Sequence, residues 1–159
     1  MIKVLFVCLG NICRSPMAEG LFAHLVEEAG LSDRIRVDSC GTGGWHAGEK
    51  ADGRMRETAG RHGIELTSRA RQIRYSDFGE FDYIIPMDHS NHSDVMDLRE
   101  RAQADISQVF LMRDFDEQGK GQGVPDPYYG GRDGFEDVYQ ILLRSCHKLL
   151  AHIRAENGW

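Results

Sequence analysis

The run Ile2-Lys3-Val4-Leu5-Phe6-Val7, followed at once by Cys8-Leu9-Gly10-Asn11-Ile12-Cys13-Arg14-Ser15-Pro16, restricts this chain more than any other segment. A short, nearly continuous apolar run reads as a strand buried on both faces, the state of a strand inside a covered parallel sheet. Gly10-Asn11 marks a tight loop. Ser15 as N-cap with Pro16 at the first helical position predicts a helix start. The reciprocal capping box is absent, because Ala18 stands where a Glu would be needed. Ala18, Leu21, Phe22, Leu25 and Ala29 then recur on one helical face, and Gly30-Leu31 supplies the stop.

The rest of the chain continues the alternation of strand-like and helix-like segments, which predicts an α/β fold with a parallel sheet. Strands are expected at Arg34 to Ser39, Phe81 to Pro86 and Gln108 to Met112, and helices at Ala51 to His62 and Asn91 to Arg101. Cys40 to Gly48 is a glycine-rich loop. The polar stretch from Phe115 to Gly134 is a long loop of the kind that tends to carry function. Phe135, Val138, Leu142, Cys146, Leu149 and Ile153 step by three or four residues and predict a closing helix.

With 159 residues, 41% of them hydrophobic and 28% charged, the expectation is one globular domain over residues 1–159. A net charge of −6 with no basic stripe argues against nucleic-acid binding. The N-terminal apolar run is too short for a signal peptide, and no segment reaches the ~18 apolar residues of a membrane span. No membrane insertion is expected. Cys8, Cys13, Cys40 and Cys146 show no C-x-x-C spacing, so reduced thiols and a cytoplasmic location are expected. His46, His62, His89 and His92 form no metal-ligand pattern, and surface or structural roles are expected of them. Neither a metal nor a cofactor is expected.

A strand, a tight loop and a helix N-terminus together make an anion site. Backbone N–H groups of the loop converge on one point, and the helix adds roughly half a positive charge there. Here the loop Leu9, Gly10, Asn11, Ile12, Cys13, Arg14 and Ser15 opens after Cys8, placing Arg14 six residues beyond the cysteine. The field that holds an anion also favours thiolate over thiol. The planar fork of Arg14 can hold two phosphate oxygens, and Ser15 can cap the helix or donate to the Cys8 sulfur. A nucleotide loop of the G-x-x-x-x-G-K-[ST] type is absent, and Gly119 to Gly123 reads as a flexible loop.

At this point the chain resembles a family, the low molecular weight protein tyrosine phosphatases. The opening V-L-F-V-C-L-G-N-I-C-R-S-P-M-A-E carries the likeness. Val37-Asp38-Ser39, Arg71-Gln72-Ile73, Phe81-Asp82-Tyr83-Ile84, Met87-Asp88-His89-Ser90-Asn91 and Asp126-Pro127-Tyr128-Tyr129-Gly130 extend it. The resemblance implies a four-stranded parallel sheet of order 2-1-3-4 with helices on both faces. It also implies hydrolysis of phosphotyrosine through a phosphocysteine. Cys8 would then be the nucleophile, Arg14 the phosphate grip and Asp126 the general acid, with Asp88 a second acid candidate ranked below it. Asn11, Ser15 and Ser39 would brace the loop, while Ile12, Trp45, Tyr128 and Tyr129 would line the substrate crevice. Cys13 would trap oxidised Cys8 as a disulfide, and Cys40 and Cys146 would be core thiols. Partners would be phosphotyrosine-bearing proteins or peptides, together with a cognate tyrosine kinase.

One departure stands out: Ser68-Arg69 occupies the place where many members have a His before A-R-Q, which removes one brace of the loop. Alternatives remain open on the same fold. Arsenate reductases need relay cysteines, and Tyr75 to Arg99 has none. Protein-arginine phosphatases carry a threonine where this chain has Ile12. From other classes, a phosphocysteine phosphocarrier would have no use for Arg14 or Asp126, and a non-catalytic phosphate-binding module would need no nucleophile and acid together.

Overall fold

The computed structural model describes residues 1–128, 130 and 132–159, the side chain of Arg132 excepted. Four parallel strands form one sheet in the order β2-β1-β3-β4: β1 (Ile2–Cys8), β2 (Ile35–Gly41), β3 (Tyr83–Pro86) and β4 (Gln108–Val109). The central place of β1 explains its apolar run, since Val4, Leu5, Phe6 and Val7 are all fully buried. Val4 and Phe6 face one core with α1 (Arg14–Glu28), α2 (Gly53–Arg61) and α5 (Arg132–Asn157). Leu5 and Val7 face a smaller core that holds Phe78 of the short α3 (Asp77–Glu80) and Val95 of α4 (His89–Arg101). The sheet therefore has helices on both faces, and the expected strand order holds.

The larger core rests on the two periodic faces visible in the sequence. Leu21, Phe22 and Leu25 of α1 meet Phe135, Val138, Leu142, Cys146, Leu149 and Ile153 of α5. Each such large apolar side chain contributes roughly 1.5–3 kcal/mol on burial. Phe6 and Phe22 pack edge to face with ring centroids 5.6 Å apart. None of the described helices is long and apolar enough to cross a membrane.

Several boundaries differ from the expected ones, each for a local reason. Helix α1 begins at Arg14, and its N-cap is Cys13, which makes no side-chain cap hydrogen bond. Ser15 is therefore not the cap, because its hydroxyl points inward to Cys8, Asn11 and the Cys40 carbonyl. Strand β4 stops at Val109 instead of Met112: Asp114 accepts from the Leu111 N–H at 3.1 Å and bends the chain into a 3-10 turn over Met112–Phe115. Helix α4 begins at His89, because the Asp88 carboxylate caps it by accepting from Asn91 N at 2.7 Å. Asp52 caps α2 in the same way through Arg54 N. Helix α3, which the sequence pattern did not suggest, precedes β3 and delays it to Tyr83.

This topology positions the site. The chain leaves β1 toward β2 on one side and later returns to β3 on the other, so the loops after β1 and β3 diverge at the carboxyl ends of the strands. Open parallel sheets bind ligands at such a switch point.

Candidate active site

Cys8 is the last residue of β1 and is 3% exposed. The loop after it turns back on itself through Asn11, at φ 57°, the one described residue other than glycine with positive φ. Asparagine tolerates this region better than most side chains do. Its backbone N–H is thereby aimed at the Cys8 sulfur, 3.3 Å away. Loop carbonyls turn outward: those of Cys8, Leu9 and Ile12 accept from the N–H groups of Thr42, Gly43 and Asp52 at 2.8–2.9 Å. Among the described residues, nothing accepts from the N–H groups of Gly10, Ile12 and Cys13. Gly41 makes the close fit possible, because a Cβ there would lie 2.7 Å from the Leu9 carbonyl.

Hydrogen bonds brace the loop from behind. Asn11 Nδ2 donates to Ser15 Oγ at 2.7 Å and to Ser39 Oγ at 3.0 Å, while Asn11 Oδ1 accepts from Arg71 N at 3.0 Å. Ser15 Oγ lies 3.0 Å from Cys8 Sγ. The geometry thus joins Asn11, Ser15 and Ser39 in one network that ends on the sulfur. Ser39 Oγ donates in turn to Glu19, whose carboxyl is pushed above its ordinary value by burial, against the pull of the Ser39 and Ser68 hydroxyls. Arg69 turns away and donates to the Gly48 carbonyl at 3.1 Å.

Arg14 opens α1 and is 3% exposed. Its Nη1 donates to Asp88 Oδ2 at 2.7 Å and to the Val124 carbonyl at 3.0 Å. Its Nη2 lies 3.6 Å from Asp126 Oδ2. One guanidinium thus connects the loop after β1, the cap of α4 after β3 and the segment carrying Asp126. Asp126 Oδ1 accepts from Tyr128 N at 3.0 Å, so Asp126 and Tyr128 form one turn.

Cys8, Leu9, Gly10, Ile12, Cys13, Arg14, Trp45, His46, Asp126 and Tyr128 line a single crevice above the sulfur. Trp45 and Tyr128 are exposed at its mouth, and Ile12 is half-buried in its wall. Tyr129, also expected there, lies outside the described residues. His46, expected to be a surface or structural residue, belongs to the lining. It pairs with Glu49 at 2.8 Å, and a Cβ on Gly10 would touch its ring at 3.0 Å. Nothing in the local sequence around His46 marks it, because its place depends on the loop after β2 folding over Gly10. His62 stacks on Tyr139 at 3.6 Å and His89 meets the Gly121 carbonyl at 2.8 Å, both structural contacts. Cys13 shares the crevice, and burial, followed by Asp52 and Cys8, pushes its thiol up. Cys40 and Cys146 are buried core thiols, each raised by the same desolvation.

Residues 3–158 match the family model described as low molecular weight phosphotyrosine protein phosphatase. The chain belongs to this family. A low molecular weight phosphotyrosine protein phosphatase of Schizosaccharomyces pombe is 49% identical over 153 residues, covering 96% of this chain and 97% of that one. The crystal structure of a protein tyrosine phosphatase from Entamoeba histolytica superposes with a TM-score of 0.89 at 41% identity, covering 99% of each chain. A drosophila arginine phosphatase reaches a TM-score of 0.90 at 34% identity, covering 96% of this chain and 98% of its own. Family membership accounts for the fold and the cysteine loop. The distribution of roles among the crevice residues is a question of geometry.

Proposed function

We propose that this protein hydrolyses phosphotyrosine in proteins and small aryl phosphates through a phosphocysteine on Cys8. The observation that carries the reading is the convergence of Cys8, Arg14 and Asp126 on one crevice with Trp45 and Tyr128 at its mouth. The phosphoryl group fits above the sulfur, against the loop N–H groups and the helix N-terminus, where developing negative charge is stabilised. Arg14 keeps one edge on Asp88 and Val124, and this contact sets the plane of its guanidinium. The Cys8 thiolate attacks phosphorus, the bond from phosphorus to the tyrosine oxygen breaks, and Asp126 in its acid form gives that oxygen its proton. Water then attacks the phosphocysteine, the Asp126 carboxylate takes a proton from it, and inorganic phosphate leaves as the thiolate is restored.

An alkyl side chain such as phosphoserine would leave the aromatic mouth unfilled, so the crevice favours a flat ring on a long reach. Ile12 in the wall supports an aryl phosphate over the phosphoarginine substrate class. Substrates would be phosphotyrosine-bearing proteins or peptides made by a tyrosine kinase. The four unpaired cysteines agree with action in the cytoplasm.

The test is kcat against leaving-group pKa for a series of aryl phosphates, in the wild type and in Asp126→Ala. A placed acid contributes ~10²–10⁴-fold, chiefly for basic leaving groups. The variant should therefore lose orders of magnitude on phosphotyrosine and far less on an activated nitrophenyl ester. A dependence in the variant as shallow as that of the wild type would remove Asp126 from the role.

A further inference from the structure

Arg54 is neither in the cysteine loop nor among the crevice-lining residues, yet it touches both sides of the crevice. On one side its backbone N donates to Asp52 Oδ1 at 2.8 Å, its Nε to the same oxygen at 3.1 Å and its Nη2 to Oδ2 at 3.0 Å. Asp52 is itself tied to the cysteine loop, since its N–H donates to the Ile12 carbonyl at 2.8 Å. A bidentate fork on a carboxylate fixes the plane of a guanidinium as well as its position. On the other side its guanidinium carbon lies over two rings, 5.4 Å from the Tyr128 centroid and 4.8 Å from the Phe135 centroid. Phe135 is 2% exposed in α5, so it is a fixed support. Tyr128 stands at the crevice mouth.

We propose that Arg54 is a substrate-positioning residue, a strut that holds the Tyr128 wall at a set distance from Ile12 and thereby defines the width of the slot for an aryl ring. This rests on the phosphotyrosine reading above and names a further determinant of it. The chain of contacts is continuous: Ile12 carbonyl, Asp52, the Arg54 guanidinium, the Tyr128 ring. The opposing wall residue Ile12 and the strut's anchor are thus the same point of the loop. Because Tyr128 N is bonded to Asp126, a strut acting on the ring also steadies the segment that carries the carboxylate. Lys in place of Arg54 would keep the charge but lose the fork and the flat face. Met would keep only the stem.

The experiment measures kcat and KM for a phosphotyrosine peptide, and Ki for inorganic phosphate, in the wild type, Arg54→Met, Arg54→Lys, Tyr128→Ala and the double variant Arg54→Met/Tyr128→Ala. Wild-type turnover of the peptide tests the underlying reading, and the variants test the strut. A solvent-exposed cation over a ring supports an effect of about two- to fivefold. KM for the peptide should rise by about that factor in Arg54→Met, with kcat falling less, and Arg54→Lys should not rescue it. Ki for phosphate, which meets the loop and not the wall, should move less than about twofold by the same reasoning. In the Tyr128→Ala background the further loss of Arg54 should change little. Equal rises of KM and phosphate Ki, an unchanged KM in Arg54→Met, or full additivity with Tyr128→Ala would each overturn the proposal.

Discussion

Arg14 Nη1 lies 2.7 Å from Asp88 Oδ2, an ion pair that joins the start of α1 to the cap of α4 across the carboxyl end of the sheet. Asp88 uses its other oxygen to accept from Asn91 N, so the carboxylate is held by the helix it caps and can in turn hold the arginine. In the proposed mechanism Asp88 would then position Arg14, and Asp126 would be the acid facing the substrate.

The two aspartates should therefore separate kinetically. Asp88→Asn keeps an oxygen for the α4 cap but removes the charge opposite Arg14. A lost hydrogen bond to a charged group of this kind lowers kcat/KM by about tenfold. The loss should be the same for all leaving groups, whereas that of Asp126→Ala should grow with leaving-group basicity. Equal kcat/KM losses in Asp88→Asn across the aryl phosphate series, beside unequal ones in Asp126→Ala, would confirm the division. A leaving-group-dependent loss in Asp88→Asn would assign the acid to Asp88.

Oxidation should be reversible. Cys8 and Cys13 line the same crevice and both are almost fully buried. Peroxide converts the Cys8 thiolate to a sulfenic acid with loss of its second oxygen as water. The Cys13 sulfur then displaces the hydroxyl, releasing a further water and forming a disulfide. The expected result is activity lost to peroxide and regained with a dithiol, with a Cys8–Cys13 peptide pair seen by mass analysis. In Cys13→Ser the loss should become irreversible. Reversible recovery in Cys13→Ser would show that this thiol is not the trap.

Glu19 offers a pH test of the bracing network. Its carboxyl is raised above the ordinary glutamate value, chiefly by burial, so the unfolded chain ionises first as pH rises. Its contribution to stability is fully present below the ordinary glutamate pKa and is lost as pH rises through the folded value. Glu19→Gln keeps an acceptor for Ser39 Oγ without the buried charge. Its Tm should exceed that of the wild type at mildly alkaline pH, where the wild-type carboxyl is ionised while buried. The difference should close as pH falls below the ordinary glutamate range. A wild type more stable than the variant at alkaline pH would mean that the carboxylate gains more from Ser39 and Ser68 than burial costs it.

The residues that were legible in the sequence share one property: their signal is local. The apolar run of β1 and the stripe from Phe135 to Ile153 were visible as period and burial, because each element meets the core along one continuous face. Cys8 and Arg14 were visible because a loop after a buried strand states its chemistry in consecutive residues. Ser15 misled only as a cap, since a Ser before Pro is a good cap in isolation, while its other expected contact, with the Cys8 sulfur, is present. Only the neighbouring Asn11 and Cys8 show that its hydroxyl is engaged inside. The roles of Asp88, His46 and Arg54 depend on contacts between segments far apart in the chain. Asp88 meets Arg14 over a separation of 74 residues, and no period or propensity encodes that pairing. The early end of β4 was missed because Asp114 competes for a backbone N–H that a strand would otherwise use.

The most direct test of the account is to trap the covalent intermediate. A peptide carrying radiolabelled phosphotyrosine is mixed with enzyme, quenched in denaturant within a turnover, and the protein is digested and mapped. The label should appear on the peptide that contains Cys8, and Cys8→Ser should show neither label nor turnover while still binding phosphate through Arg14 and the loop N–H groups. Label on any other residue, or no label together with Cys8→Ser keeping as much as about a tenth of wild-type kcat, would contradict nucleophilic catalysis by Cys8.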